Sequence, residues 1–459
     1  MKKVVVLALL VTCCFAFVRV ADLLDFEPVP IPSSPQRLGG DVHRGFEYLT
    51  TGDYVKGGIP YSFFLMGMGK EKANYLNRSG KNEKLSHDYT AIESRGETLV
   101  APNCMQCHAQ VFEDSLIMGM GNTFINFAED DKLNEKNLKK AENLLRLTAP
   151  KKYAAAEPFI DVAKTIGPFL HTQVQGVNAA DRLAAVLVAH RDPVTFKWSK
   201  EALLDIPDQV VPTDVPAWWL LKKKNAMFYN GFGRGDFGKF LMASNLLTVN
   251  DTAESREVDG HMPDVLAYLY SLEAPRYKKA IDKPLAKKGE AIFQVSCAKC
   301  HGSYGDSVAY PNLLIPSAAI QTDSLLFLSN YSAPQFVDWF NKSWFTSGDH
   351  PARLEPFNGY IAPPLDGIWA TAPYLHNGSV PTLEALLNST KRPRYWSRDF
   401  VKPVYDYQKL GWVYKSYDQP GETNSYNTDI PGYSKDGHYF GDRLSEDERR
   451  SVLEYLKTL

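Results

Sequence analysis

The chain has little with which to staple itself together. Only six of its 459 residues are cysteine, and four of these lie in two short motifs, so no disulfide framework is possible. The remaining two, Cys13 and Cys14, fall in an N-terminal apolar stretch. Positive charge is not in excess either: the formal net charge is −2, which excludes nucleic-acid binding through a basic surface. The apolar run from Val4 to Val18 is too short for a comfortable membrane span. Alternation at period two is scarce, which argues against long half-buried strands and predicts a mainly α class with long irregular loops. Methionine is missing from the whole second half, where none of the nine occurs after Met262.

What the chain does contain is Cys-x-x-Cys-His, twice: Cys104-Met105-Gln106-Cys107-His108 and Cys297-Ala298-Lys299-Cys300-His301. Two thiols one short turn apart add to the two vinyl groups of a porphyrin, and the adjacent imidazole reaches the iron as its proximal ligand. Zinc and thioredoxin-like redox centres also use Cys-x-x-Cys, but a zinc site needs four closely held ligands and each pair here would have to borrow from far along the chain. The expectation is two covalently bound haem c groups, attached at Cys104 and Cys107 and at Cys297 and Cys300, with His108 and His301 proximal to iron.

The N-terminus agrees with this. Lys2 and Lys3, the apolar run and Arg19 read as a signal peptide or anchor over residues 1–21, and covalent haem attachment takes place outside the cytoplasmic membrane. Leu10-Val11-Thr12-Cys13 faintly suggests lipidation. A periplasmic protein is therefore expected, with membrane attachment through the N-terminus left open. A Pro-rich linker over 22–40 follows.

The remainder, more than 400 residues, suffices for two cores and reads as a duplication. An N-terminal cytochrome c-like domain is expected over 41–275 and a C-terminal one over 276–459. Gly96 and Gly289 each stand eight residues before a first cysteine (104 − 96 and 297 − 289), and each half closes on a similar helix, 262–272 and 450–459. Ser445 with Glu448 forms a capping box for the last of these. Leu138 to Leu147 and Phe159 to Leu170 carry apolar residues at helical spacing.

Function turns on the sixth position of each iron. Without methionine, the second half can offer its haem only His350, His376 or His438. A bis-imidazole iron has a lower reduction potential than a His/Met one, which suits electron transfer. The stretch Thr371-Ala372-Pro373-Tyr374-Leu375-His376-Asn377-Gly378-Ser379 resembles the segment that carries the distal ligand of the C-terminal haem in bacterial di-haem cytochrome c peroxidases and their MauG-like relatives. There the residue before the histidine is typically methionine, whereas this chain has Leu375. Pro363-Pro364-Leu365-Asp366-Gly367-Ile368-Trp369-Ala370, Gly437-His438, and Cys300-His301-Gly302-Ser303-Tyr304-Gly305 with Tyr310-Pro311-Asn312 resemble the rubber-oxygenase-like branch of that superfamily. The resemblance covers the C-terminal half well and the first half loosely. It implies His376 as the distal ligand of haem 2, and calcium as a further cofactor by analogy. Rubber oxygenases are substantially longer, so polyisoprene cleavage does not carry over.

At haem 1, Met118, Met120, His171 and His190 compete as ligands. The resemblance also implies an N-terminal haem left open for dioxygen beneath an aromatic pocket, for which Trp219 and Phe232 are the candidates. No distal acid stands out among Glu113, Glu129 and Asp130. Two readings follow: an exported haem-dependent oxidoreductase, peroxidase- or oxygenase-like, with a redox partner protein or a small-molecule oxidant, or a di-haem electron carrier with no turnover of its own. Size favours the first.

Overall fold

A computed structural model of the chain describes residues 27–70, 73–128, 135–305, 308–421 and 424–459. The expected signal peptide or anchor over residues 1–21, with Cys13 and Cys14, lies outside them, as do Glu129 and Asp130. No helix among the described residues is long and apolar enough to cross a membrane.

Two helix pairs organise the molecule, and both crossings are built alike. In the first, Val42–Thr51 packs on Thr252–Ser271; in the second, Lys283–Ser296 packs on Glu446–Leu456. A Cβ on Gly45 would fall 2.0 Å from the Asp264 carbonyl oxygen, and one on Gly289 would fall 1.9 Å from that of Ser451, so only glycine permits either approach. Asp264 and Ser451 each precede the same pattern, Val-Leu-x-Tyr-Leu, at Val265 to Leu269 and Val452 to Leu456. Its tyrosines meet rings on the partner helices: Tyr268 lies 5.4 Å from Phe46 and Tyr455 lies 5.2 Å from Phe293, centroid to centroid. Side-chain caps start all four helices, at Asp41, Asp251, Asp282 and Ser445, and the last is the expected capping box with Glu448.

The two helix pairs thus share one design, but the counterpart of Gly289 is Gly45 and not Gly96. Arg95 (φ +53°) and Gly96 (φ +74°) form the two-residue turn of a hairpin, Tyr89–Ser94 with Glu97–Pro102. In the first half 59 residues (104 − 45) therefore separate the crossing glycine from the first cysteine, against eight in the second (297 − 289), and the hairpin fills that insertion.

The mainly α expectation is corrected: the protein is 41 % helical and 15 % strand, a mixed α/β fold with several small sheets. Its strands run from two to six residues, and many pair segments far apart in sequence. Val29–Pro30 joins Leu313–Pro316, which also pairs with Gly359–Ile361, and Gly233–Gly235 joins Ala352–Leu354. Strands this short carry no readable alternation, and their partners lie beyond any local window. The two helical stretches read from periodicity are present, as Glu135–Thr148 and Pro150–Ile166.

The cores interlock. Trp339 and Phe345 pack with Phe196, Phe237 and Val265, while Phe112, Met120 and Trp219 pack with Phe293, Trp369 and Val452. The described part of the Pro-rich segment is strapped down rather than loose, because the Arg37 guanidinium pairs with Asp236 at 2.6 Å and Asp259 at 2.7 Å.

Candidate functional site

Both Cys-x-x-Cys-His motifs close one helical turn. The amide of His108 donates to the Cys104 carbonyl (3.1 Å), and that of His301 donates to the Cys297 carbonyl (3.0 Å). The turn sets the two thiols on one side with the imidazole beyond them, as covalent haem attachment requires.

The second motif opens on a cavity of about 190 Å³, lined among others by Cys297, His301, Leu383, Leu386, His438 and Val452. His301 Nδ1 hydrogen-bonds the Pro363 carbonyl at 2.8 Å, so Nδ1 carries the proton and Nε2 is left for a metal. Burial lowers the His301 pKa and keeps the ring neutral, the form that binds iron.

Across from it stands His438, with ring centroids 6.1 Å apart and planes inclined by 54°. Two imidazoles bound to opposite faces of one iron put their ring centres about 6 Å apart, given metal–nitrogen bonds of about 2 Å. Burial also keeps His438 neutral, lowering its pKa to about 3, and its Nδ1 is buried without a hydrogen-bond partner.

The loop that presents His438 is specified in detail. Gly437 (φ +82°) and His438 (φ +49°) are left-handed, and a Cβ on Gly437 would strike the Thr322 amide nitrogen at 2.2 Å. Buried Arg392 braces this loop by donating to the carbonyls of Lys435 (2.7 Å), Gly437 (2.7 Å) and His438 (3.2 Å).

The implied ligand His376 is the third buried imidazole of this cavity. Its ring stacks on Tyr360 at 4.2 Å, and its Nε2 shares a 3.1 Å hydrogen bond with the Tyr360 hydroxyl, which itself donates to the Asp323 carbonyl. His350 is exposed. The first half contributes polar groups to the cavity wall. Burial raises the Asp214 carboxyl to about 7, against a 2.7 Å hydrogen bond from Tyr229, and lowers buried Lys224 to about 8. The donor set, the apolar slot and the imidazole pair fit a c-type haem here.

The first motif has the same donors in a tighter setting. The cavity beside Cys104 is about 20 Å³, with Tyr54, Trp218, Asn245 and Met262 among its walls. His108 stacks on Trp218 at 4.3 Å and 17°, and burial lowers its pKa to about 3. His108 Nδ1, Trp218 Nε1 and Asn245 Nδ2 are all buried without hydrogen-bond partners, a concentration of orphaned polar atoms that points to a missing polar group beside this motif.

The expected pocket residues are not at this cavity. Trp219 turns the other way, donating its Nε1 to the Asp366 carbonyl (2.9 Å) within the second core. Phe232 packs on Phe228 at 5.1 Å, in the same buried cluster as Trp218 but away from the cavity wall. Consecutive tryptophans on one 3₁₀ turn cannot share a face, and sequence offered no means of choosing between them. Trp218 and Met262 are the residues that sequence reasoning missed. Met120 is core, His190 bonds the Ser199 carbonyl and stacks on Trp198, and His171 is exposed. Among the described residues no group of three or more His, Cys, Asp or Glu side chains gathers to hold a bare metal ion such as calcium.

Comparison with known proteins fits this geometry. Residues 359–397, which include Tyr360, Trp369, Tyr374 and His376, match the family described as RoxA-like, cytochrome c-like. The chain is 30 % identical over 239 residues to an uncharacterised protein, y4iM, of Sinorhizobium fredii, covering 48 % of this chain and 54 % of that one. It is 28 % identical over 269 residues to a second uncharacterised protein of the same organism, y4iJ, covering 44 % of each. The chain spans about half the length of these curated relatives. The matched segment is similar to a RoxA-like, cytochrome c-like domain, which suggests a c-type cytochrome role and implies haem c as cofactor.

Proposed function

We propose that this chain is an exported di-haem c-type cytochrome acting as an oxidoreductase, with one haem at each Cys-x-x-Cys-His motif. A c-type haem supplies one-electron chemistry and, where a coordination position is open, binding of peroxide or dioxygen. The observation that carries the reading is the 6.1 Å imidazole pair, His301 and His438. These two residues would hold the second haem, with Pro363 fixing the tautomer of one and Arg392 the loop of the other. Lys224 supplies positive charge at the cavity wall, suited to haem carboxylates. That site transfers electrons.

The first site, on Cys104, Cys107 and His108, is where a small oxidant reacts. Trp218 and Met262 exclude water there, and Asn245 Nδ2 and Trp218 Nε1 are donors without a protein acceptor. One observation favours the second reading, an electron carrier without turnover: the open space beside Cys104 is only about 20 Å³.

Visible and EPR spectra of the purified oxidised protein, with cyanide or with carbon monoxide after reduction, separate the two. The oxidoreductase reading expects one low-spin haem that ignores added ligand and one that responds to it. Two unresponsive low-spin haems would leave only the carrier.

A further inference from the structure

Between the two motifs lies an aromatic cluster that neither site uses. Trp369 is fully buried and donates its Nε1 to the Pro275 carbonyl. It stands next in sequence to Ile368, which lines the His301 cavity, and meets Phe112 edge-on at 5.9 Å, on the strand Ala109–Phe112 that begins directly after His108. On its other side Trp369 stacks on Tyr407 at 6.0 Å and 28°, with Tyr277 filling the corner at 5.3 Å from Trp369 and 5.6 Å from Tyr407.

Tyr407 is half-buried, so the ring series runs from between the motifs to the surface. There its hydroxyl donates to Glu113 Oε1 at 2.7 Å. Glu113 sits at the exposed tip of the hairpin that follows the first motif, in the left-handed conformation (φ +53°), and Lys278 pairs with its other oxygen at 2.7 Å, which holds it ionised. A phenol loses an electron readily only when its proton leaves with it, and an ionised carboxylate at hydrogen-bond distance is a ready acceptor.

We propose that Tyr407 is a surface site of one-electron oxidation, wired through Trp369 to the haem sites, with Glu113 as its proton acceptor. Its substrates are phenols or other one-electron donors too bulky to enter the interior. The proposal rests on the oxidoreductase reading and names hydrogen peroxide as oxidant. With haem bound and oxidised by peroxide, an electron from Tyr407 would pass through Trp369 toward it, and the phenolic proton would move to Glu113 Oε1. The neutral phenoxyl radical then takes a hydrogen atom, one electron and one proton, from a donor at the surface, and Glu113 releases its proton. Over a cycle one hydrogen peroxide takes up two electrons and two protons and leaves as two waters, while two donor molecules each lose one hydrogen atom.

The test mixes the haem-loaded protein with hydrogen peroxide and freezes it for EPR, with a radical trap whose adducts are mapped by mass spectrometry. Wild type should give an organic radical and a trap adduct on Tyr407. Tyr407→Phe, which keeps the ring and its packing, should lose both, and Glu113→Gln should lower the yield about tenfold or more with the haem spectrum unchanged. An equal radical in Tyr407→Phe, or no radical although the haem bands respond to peroxide, overturns the proposal and leaves the oxidoreductase reading standing. Haem bands that ignore peroxide remove that reading instead. In that case photogenerated tris(bipyridine)ruthenium(III), an oxidant acting from solution, decides the site alone: Glu113-dependent adducts on Tyr407 retain it as an oxidisable site, and adducts elsewhere remove it.

Discussion

The same pentapeptide sits in two unlike surroundings. At Cys297 to His301 the turn faces about 190 Å³ of space with a second imidazole 6.1 Å from the first, whereas at Cys104 to His108 it faces about 20 Å³ closed by Trp218. The helix pairs framing the motifs are nearly superimposable in design, down to a crossing glycine and Val-Leu-x-Tyr-Leu. The difference therefore arises in what is inserted between helix and motif and in which distant loops reach back to the motif histidine. On the di-haem reading, the repeated helix scaffold would fix where each haem attaches and the loops would decide what it does there.

Removing Trp218 should disturb this contrast most. Trp218→Ala deletes a fully buried ring and is expected to cost about 3–5 kcal/mol, read by urea unfolding. It should also speed cyanide binding at the first haem without touching the second. An unchanged cyanide rate would mean that Trp218 does not gate that site.

The shared scaffold can be tested from both sides. Gly45→Ala and Gly289→Ala should each destabilise by about 2–3 kcal/mol, because either Cβ would lie within 2.0 Å of a backbone oxygen. Similar shifts in denaturation midpoint support equivalent crossings, and tolerance at one alone would break the equivalence.

Arg392→Met leaves the carbonyls of Lys435, Gly437 and His438 without their donor, at an expected cost of about 2 kcal/mol. A high-spin fraction should appear at the second haem while the first keeps its spectrum.

A further effect concerns pH. Burial raises Asp214 from 3.8 to about 7, so the folded protein holds a proton that the unfolded chain releases. Its contribution is fully present below 3.8 and is lost as pH rises toward about 7. Asp214→Asn should flatten the stability profile of the haem-free protein across that window, as read by thermal unfolding at stepped pH.

Much of this was legible in the sequence because it is local. Cys-x-x-Cys-His, the Ser445 capping box and the helical spacing around Ile160 each depend on residues within a turn or two of one another. The Pro363 to Ala370 stretch also pointed to the rubber-oxygenase-like branch, and the RoxA-like, cytochrome c-like match at 359–397 supports that part of the resemblance. What was hidden depends on distant partners. Gly96 looked like Gly289 because both are followed by glutamate, yet one turns a hairpin and the other crosses a helix. His376 and His438 both lie close to glycine, and only the fold shows that Arg392 and Thr322 deliver His438 to the face opposite His301. The small sheets join residues such as Val29 and Leu314, whose pairing no window could contain.

The most direct test compares His438→Ala with His376→Ala by EPR of the oxidised, haem-loaded protein. The account predicts that His438→Ala abolishes the low-spin signal of the second haem and that His376→Ala leaves it in place. Loss of that signal in His376→Ala with retention in His438→Ala would contradict it.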